Sequence, residues 1–204
     1  MSVRPAVRAD IGVLADVLAR AFYDDPTFTW VLPDDKARHA RVRRVFATTL
    51  RVDALHRGIV EVAWDHEAGA IVGGAIWYPP GAWPSPALRQ FRALPGYVGA
   101  LGRKFGSTAK LSTAMARVHP KSAHWYLASV GVGPAHQGKG VGGALLRARL
   151  ARVDQSGAEA YLESSKTRNI PLYEHFGFRA GDVPPLPDGA PVVTPMSRPV
   201  LRCR

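Results

Sequence analysis

Acidic residues are scarce in this chain of 204 residues: 16 Asp and Glu stand against 27 Lys and Arg, a formal net charge of +11. Cysteine is nearly absent, with Cys203 the single example. An internal disulfide is therefore excluded, and a reducing compartment is expected. A thiol one residue from the chain's end, where a tail supplies no folded surroundings to activate it, is not expected to be a nucleophile. Long hydrophobic runs are missing too. Nothing approaches the roughly 20 apolar residues that a spanning helix needs. Arg8, Asp10 and Asp16 interrupt the N-terminal apolar residues, so no secretion signal is expected there. The expectation is a soluble, cytoplasmic protein with no membrane partner.

A metal-ligand spacing is also lacking. The histidines stand at 39, 56, 66, 119, 124, 136 and 175. His119 and His124 are separated by Pro120, which denies them a shared helical face. No metal is expected. No Cys or Ser–His pairing suggests a covalent acyl intermediate.

The excess of positive charge admits three partners: nucleic acid, a membrane surface or an anionic small molecule. The charges are dispersed, with one dense run from Lys36 to Arg44. On a helix that run places Arg on several faces, with Val42, Val45 and Phe46 interleaved. It reads as a solvated helix face, with docking of phosphates or of an acidic partner as the alternative. No nucleic-acid motif accompanies it, so nucleic acid is not expected.

Hydrophobic residues make up 47% of the chain, enough for one core. A single domain over 1–204 is expected. A strand at Val3–Arg8 precedes a helix capped by Asp10, which Asp24-Asp25-Pro26 ends. Phe28, Trp30, Val31 and Leu32 read as a loop closed by Pro33. A basic helix follows to about Leu55, then a hairpin of strands Ile59–Ala63 and Ala70–Tyr78. The segment of about 84–118 reads as helical, broken around Pro95-Gly96. Strand Trp125–Val132, a helix from about Gly138 to Gln155, strand Ala158–Glu163 and a helix Asn169–Phe176 complete an α/β pattern.

The most informative stretch is Val130-Gly131-Val132-Gly133-Pro134-Ala135-His136-Gln137-Gly138-Lys139-Gly140-Val141-Gly142-Gly143. A strand runs into a glycine-rich turn that opens a helix, which presents unpaired backbone N–H groups to an anion. Three motifs overlap in it. Gly133 to Lys139 spells most of a nucleotide P-loop, but Gly140 stands where Ser or Thr should ligate Mg²⁺. Gly138 to Gly143 spells a dinucleotide fingerprint, yet five residues separate its first glycine from the strand. The third motif is Gln137-x-x-Gly140-x-Gly142, preceded by Val130-x-Val132-x-Pro134.

That third pattern resembles the pyrophosphate loop of the GNAT superfamily of acyl-CoA-dependent N-acyltransferases. A second signature follows in order: strand Tyr161–Ser165, then Asn169-Ile170-Pro171-Leu172-Tyr173-Glu174-His175-Phe176-Gly177-Phe178. Within the superfamily, Trp125–Phe178 is similar to the puromycin N-acetyltransferase group, and a weaker likeness covers most of the chain. The resemblance implies a GNAT fold: a mixed central sheet with splayed parallel strands, flanked by helices. The segment of about 84–118 is a helical insert relative to it.

The same resemblance implies acetyl-CoA as cosubstrate and direct transfer of acetyl to an amine. Val130, Gly131, Val132, Gln137, Gly138, Lys139, Gly140, Val141, Gly142, Gly143 and Asn169 are the implied cofactor-binding residues, with Lys139 acting mainly through its backbone. Tyr173 stands where the family places the phenol that protonates the leaving sulfur. Glu163, at the end of its strand, is the candidate base, with a structural or amine-attracting role as the alternative. Asp25, Phe28, Trp30 and Tyr78 are candidate walls of the acceptor pocket; capping for Asp25 and core packing for the others are the alternatives. A small-molecule amine, such as an aminonucleoside antibiotic or a metabolite, is the favoured acceptor. A protein Lys or N-terminus is the second reading, and a catalytically silent acyl-CoA-binding domain the third. A homodimer is the assembly to test for.

Overall fold

A computed structural model describes residues 1–200; Cys203 lies outside them. In chain order, β1 (Ser2–Pro5) leads to α1 (Ile11–Ala21), α2 (Pro26–Val31) and α3 (Asp35–Thr49). A π-helical turn, Leu50–Ala54, joins α3 to the short α4 (Leu55–Arg57). Strands β2 (Ile59–Asp65) and β3 (Ala70–Tyr78) precede α5 (Ala87–Leu101) and α6 (Phe105–Val118). Then follow β4 (His124–Val132), α7 (Val141–Gln155), β5 (Glu159–Ser164), α8 (Ile170–His175), β6 (Arg179–Ala180) and β7 (Thr194–Arg198). The strands form one seven-stranded sheet in the order β1-β2-β3-β4-β5-β7-β6. Only β4 and β5 run parallel; the other neighbours are antiparallel. This is the GNAT fold that the two signatures imply.

Each face of the sheet carries its own core. On one face α1 and α3 bury Leu14, Leu18, Val42 and Phe46 against Val62 and Ile76. On the other, Leu145, Leu146 and Val153 of α7 pack on Trp77, Leu127 and Leu162. The missing side chain of Gly131 makes room for helix α1 against the sheet. A Cβ on Gly131 would lie 3.0 Å from the Ala21 Cβ and 2.9 Å from Leu18 Cδ2.

Parity along β4 reverses midway. Trp125 and Leu127 face the α7 core, and so do Val130 and Val132. A strict alternation cannot place odd and even positions on one face, so an extra residue must intervene. The ladder to β3 shows it: Trp77 pairs with Leu127 and Ile76 with Ser129. Ala128 is the bulged residue, and a bulge bends its strand. Pairing of β4 with β5 stops at the same place, with Leu127↔Leu162 the final rung. From Ala128 to Val132 no rung joins the two strands.

Several local expectations change. Asp25-Pro26 starts a helix instead of only ending one. Asp25 accepts hydrogen bonds from Thr27 N at 2.9 Å and Phe28 N at 3.4 Å, and Pro26 takes the first helical position, where a missing N–H costs nothing. Asp10 precedes α1 but makes no forward cap; its carboxylate accepts from Val7 N at 2.8 Å and from Arg4. The helix of the 84–118 segment runs through Pro95 and Gly96 and stops at Gly102, whose φ of +53° suits glycine. The basic run is structural at Arg38, which is buried and donates to the carbonyls of Leu32 and Pro33.

Candidate active site

The chain from Val132 to Gly143 forms a cradle. Gly133 N donates to Val72 O at 2.8 Å, and Gln137 Nε2 reaches back to Val132 O at 2.9 Å. The turn then needs left-handed backbone at Gly138 (φ +74°) and Gly140 (φ +78°), the latter being the residue that precedes α7. No heavy atom lies within 4 Å of a Cβ placed on either. The open side of the loop is thus free for a ligand, and the first amides of α7 have no intrahelical acceptor.

A cavity of about 420 Å³ extends from this loop into the gap between β4 and β5. The structure brings Val130, Gly131, Val132, Gln137, Gly138, Gly140, Val141, Gly142, Gly143 and Asn169 to its wall, together with Tyr173, Glu163 and Asp25. Lys139 is exposed and its side chain is not part of that wall. Asn169 precedes α8 without making a side-chain cap bond, which leaves its amide for a ligand.

Tyr173 approaches the gap from the α7 side, where it packs edge-on against Phe178 at 6.2 Å. Burial, aided by the negative charge of Asp25, pushes its phenol up to about 12. The proton therefore stays on the oxygen at neutral pH. Asp25 is 2% exposed and also accepts a hydrogen bond from Ser165 in the loop after β5.

Glu163 projects from β5 on the opposite face. Its side chain is 19% exposed, and its carboxylate accepts from the hydroxyls of Tyr126 and Tyr161, each at 3.3 Å. Burial, followed by the Glu163 charge, raises both tyrosines above the ordinary phenol value. They remain donors. His119 Nδ1 lies 3.6 Å from Glu163 Oε1, and Trp83 stacks on the His119 ring at 3.5 Å. These neighbours come from the end of α6 and the loop before α5.

Three of the candidate acceptor walls, Phe28, Trp30 and Tyr78, stand outside this cavity, and Tyr78 stacks on Tyr126 with ring centroids 6.3 Å apart. Phe28 packs with Phe22 and Phe46 in the α1–α3 core. Trp30 lies against the Leu111–Met115–Val193 cluster. Tyr78 is buried and donates to Asp53 Oδ2 at 2.7 Å. None of the three lines the cavity. Lys166 and Arg168, not among the residues expected at the site, do line it and pair with Asp24. Their signal was two cations within a turn of Asn169. His119 and His124 share no helical face, because α6 ends and β4 begins between them. The chain reversal brings their Nε2 atoms to 2.9 Å. Among the described residues, no group of three or more His, Cys, Asp or Glu gathers as for a metal ion, and no helix is long and apolar enough to cross a membrane.

Comparison with known proteins agrees with this geometry. Residues 20–178 match the model of the Acetyltransferase (GNAT) family. The chain is 29% identical over 189 residues to an uncharacterized N-acetyltransferase of Schizosaccharomyces pombe, covering 87% of this chain and 74% of that protein. A crystal structure of "histone acetyltransferase HPA2 and related acetyltransferase" from Corynebacterium glutamicum superposes with a TM-score of 0.77. It shares 33% identity, with 99% of this chain and 97% of that one covered. A polyamine N-acetyltransferase of Drosophila melanogaster shares the fold at 16% identity and a TM-score of 0.63, covering 98% of this chain and 99% of its own.

Proposed function

The chain belongs to the Acetyltransferase (GNAT) family, and from that premise we propose that it moves an acetyl group from acetyl-CoA directly onto the primary amine of a small molecule. One observation carries this reading: a single cavity joins the glycine cradle, through the gap between β4 and β5, to both Tyr173 and Glu163.

The amides of the cradle and the first turn of α7 hold the pyrophosphate. Asn169 offers its amide to the same ligand. The backbone edge of Val130 and Val132 that faces the gap, without a rung to β5 and with Val132 O already held by Gln137, receives the pantetheine arm as an added strand. A neighbouring N–H, near Ser129 or Val130, faces the thioester oxygen as negative charge develops on it.

The acceptor arrives as an ammonium ion. Glu163, through a water, removes one proton, and the neutral nitrogen attacks the thioester carbon. The C–N bond forms, the C–S bond breaks, and Tyr173 gives its hydroxyl proton to sulfur. The second nitrogen proton returns through solvent to the phenolate. The balance is one acetamide, one thiol and one released proton.

The small-molecule reading is supported by the cover over Glu163. His119 lies against its carboxylate with Trp83 stacked on the His119 ring, and Tyr126 and Tyr161 donate to it. A confined, aromatic amine site of that kind suits an aminonucleoside or an aromatic metabolite, including an acceptor of the puromycin class. The second reading is acetylation of a protein amine, favoured by the likeness to the Corynebacterium protein with its histone acetyltransferase name. Thiol release from acetyl-CoA tests both, with puromycin, a panel of amines and short peptides, beside Tyr173→Phe. Turnover of one small amine, lost in the variant, supports the first reading. Turnover of peptides alone supports the second. Silence on the whole panel with acetyl-CoA still bound overturns both in favour of a binding domain.

A further inference from the structure

The histidine pair behind Glu163 has a fixed proton order. His124 Nδ1 lies 2.6 Å from Ser122 O. A carbonyl only accepts, so Nδ1 carries the hydrogen. Burial lowers the His124 imidazole below its ordinary value, so the ring is neutral and its Nε2 is an acceptor. His124 Nε2 lies 2.9 Å from His119 Nε2. His119 must therefore donate there, and its remaining nitrogen, Nδ1, is the one without an obligatory hydrogen. That atom is buried, has no hydrogen-bond partner, and faces Glu163 Oε1 at 3.6 Å on a side chain only 1% exposed. Two lone-pair atoms thus face each other with no hydrogen between them, just beyond hydrogen-bond reach.

We propose that His119 is a positioning residue for the transfer reaction: it acts through Glu163, and its Nδ1 receives the proton that Glu163 draws from the acceptor amine. The inference rests on the acetyltransferase reading. One proton leaves the ammonium nitrogen for the carboxylate, then passes to Nδ1, giving an imidazolium beside a regenerated carboxylate. The charge is accommodated twice, by Glu163 and by the face of Trp83, which stacks on the ring at 15° between planes. The titratable groups in contact with His119 are His124 and Tyr126 from β4 and Tyr161 and Glu163 from β5. Both tyrosines stay neutral, so Glu163 supplies the only negative charge among them. The helical segment before β4 thus contributes a residue to the chemistry as well as a cover.

Ring-nitrogen NMR of the ¹⁵N-histidine-labelled full chain tests the proton order without any acceptor. The expected spectrum shows His124 protonated at Nδ1 and His119 at Nε2, with His119 Nδ1 gaining a hydrogen as pH falls. In Glu163→Gln that gain should move to lower pH. A His119 ring insensitive to Glu163→Gln, or carrying the opposite tautomer, overturns the proposal while leaving the acetyltransferase reading intact. On an accepted amine, His119→Phe keeps the stack on Trp83 but removes both nitrogens. It should lower kcat/KM by about tenfold or more, move the acid limb of its pH profile, and leave the KM for acetyl-CoA unchanged. An unchanged profile overturns the proposal. Absence of turnover by the unmodified protein on every amine overturns the underlying reading, and with it the relay.

Discussion

Leu127 and Leu162 face each other across the final rung of the parallel ladder, and beyond them the two strands part. The parting is built into β4 by one residue. Ala128 has no opposite number on β3, and the bend it introduces turns Ser129–Val132 away from β5. The cavity occupies the resulting gap, with the Tyr173 phenol on one side of it and the Glu163 carboxylate on the other.

Tyr173→Phe removes one oxygen and keeps the packing on Phe178. If the phenol protonates the leaving sulfur as proposed, kcat should fall by about 10²-fold or more, with the KM for acetyl-CoA little changed. Steady-state thiol release measures this. A variant with full kcat would assign Tyr173 to packing alone.

Tyr173 also sets an expectation for pH. An acid catalyst works in its protonated form, and burial with the Asp25 charge holds this phenol up to about 12. The kcat should therefore show no decline from this group through pH 10. A fall centred near 10, the value of an ordinary phenol, would show that Tyr173 is not the donor or is not buried during turnover.

Gly140→Ala forces a side chain onto a residue with φ of +78°. The strain costs about 1 kcal/mol. Acetyl-CoA binding should weaken by about tenfold, because the amides of the cradle move with it. Lys139→Ala should cost less than about threefold, since only its backbone is at the cradle. Calorimetric titration with acetyl-CoA compares the two. A larger loss at Lys139 would give the side chain the main role.

Asp25→Ala removes the cap of α2 and the anchor of Ser165. Thermal or urea unfolding should show a loss of about 1–2 kcal/mol. Asp25→Asn retains an acceptor for the Thr27 amide and should lose less. Equal losses in the two variants would mean that the charge, and not the cap, stabilises the site.

The cofactor half was legible because its residues are constrained by backbone geometry. Gly138 and Gly140 occupy conformations that exclude side chains, and Tyr173 follows Asn169 at a spacing fixed by one helical turn. The shift of apolar parity in Trp125-Tyr126-Leu127-Ala128-Ser129-Val130 was also present in the sequence, as the mark of the bulge. The acceptor side was less legible because it is assembled from distant segments. Nothing near His119 in sequence announces Trp83, Tyr126 or Glu163 as neighbours. Phe28 and Tyr78 show the reverse problem, since an aromatic residue near a site and one in the core have the same local pattern. Asp25-Pro26 misled for another reason: the same dipeptide that stops one helix starts the next.

Four rungs are all that join β1–β4 to β5–β7 within the sheet. A cosubstrate lying in the gap adds the hydrogen bonds that the missing rungs would have made, so it also fastens the two halves together. Ligand at a hundredfold excess over its dissociation constant stabilises a fold by about 2.7 kcal/mol. Resistance of the folded chain to heat and proteolysis should then rise with the acetyl-CoA concentration, so the cosubstrate is also a clasp across the seam of the sheet.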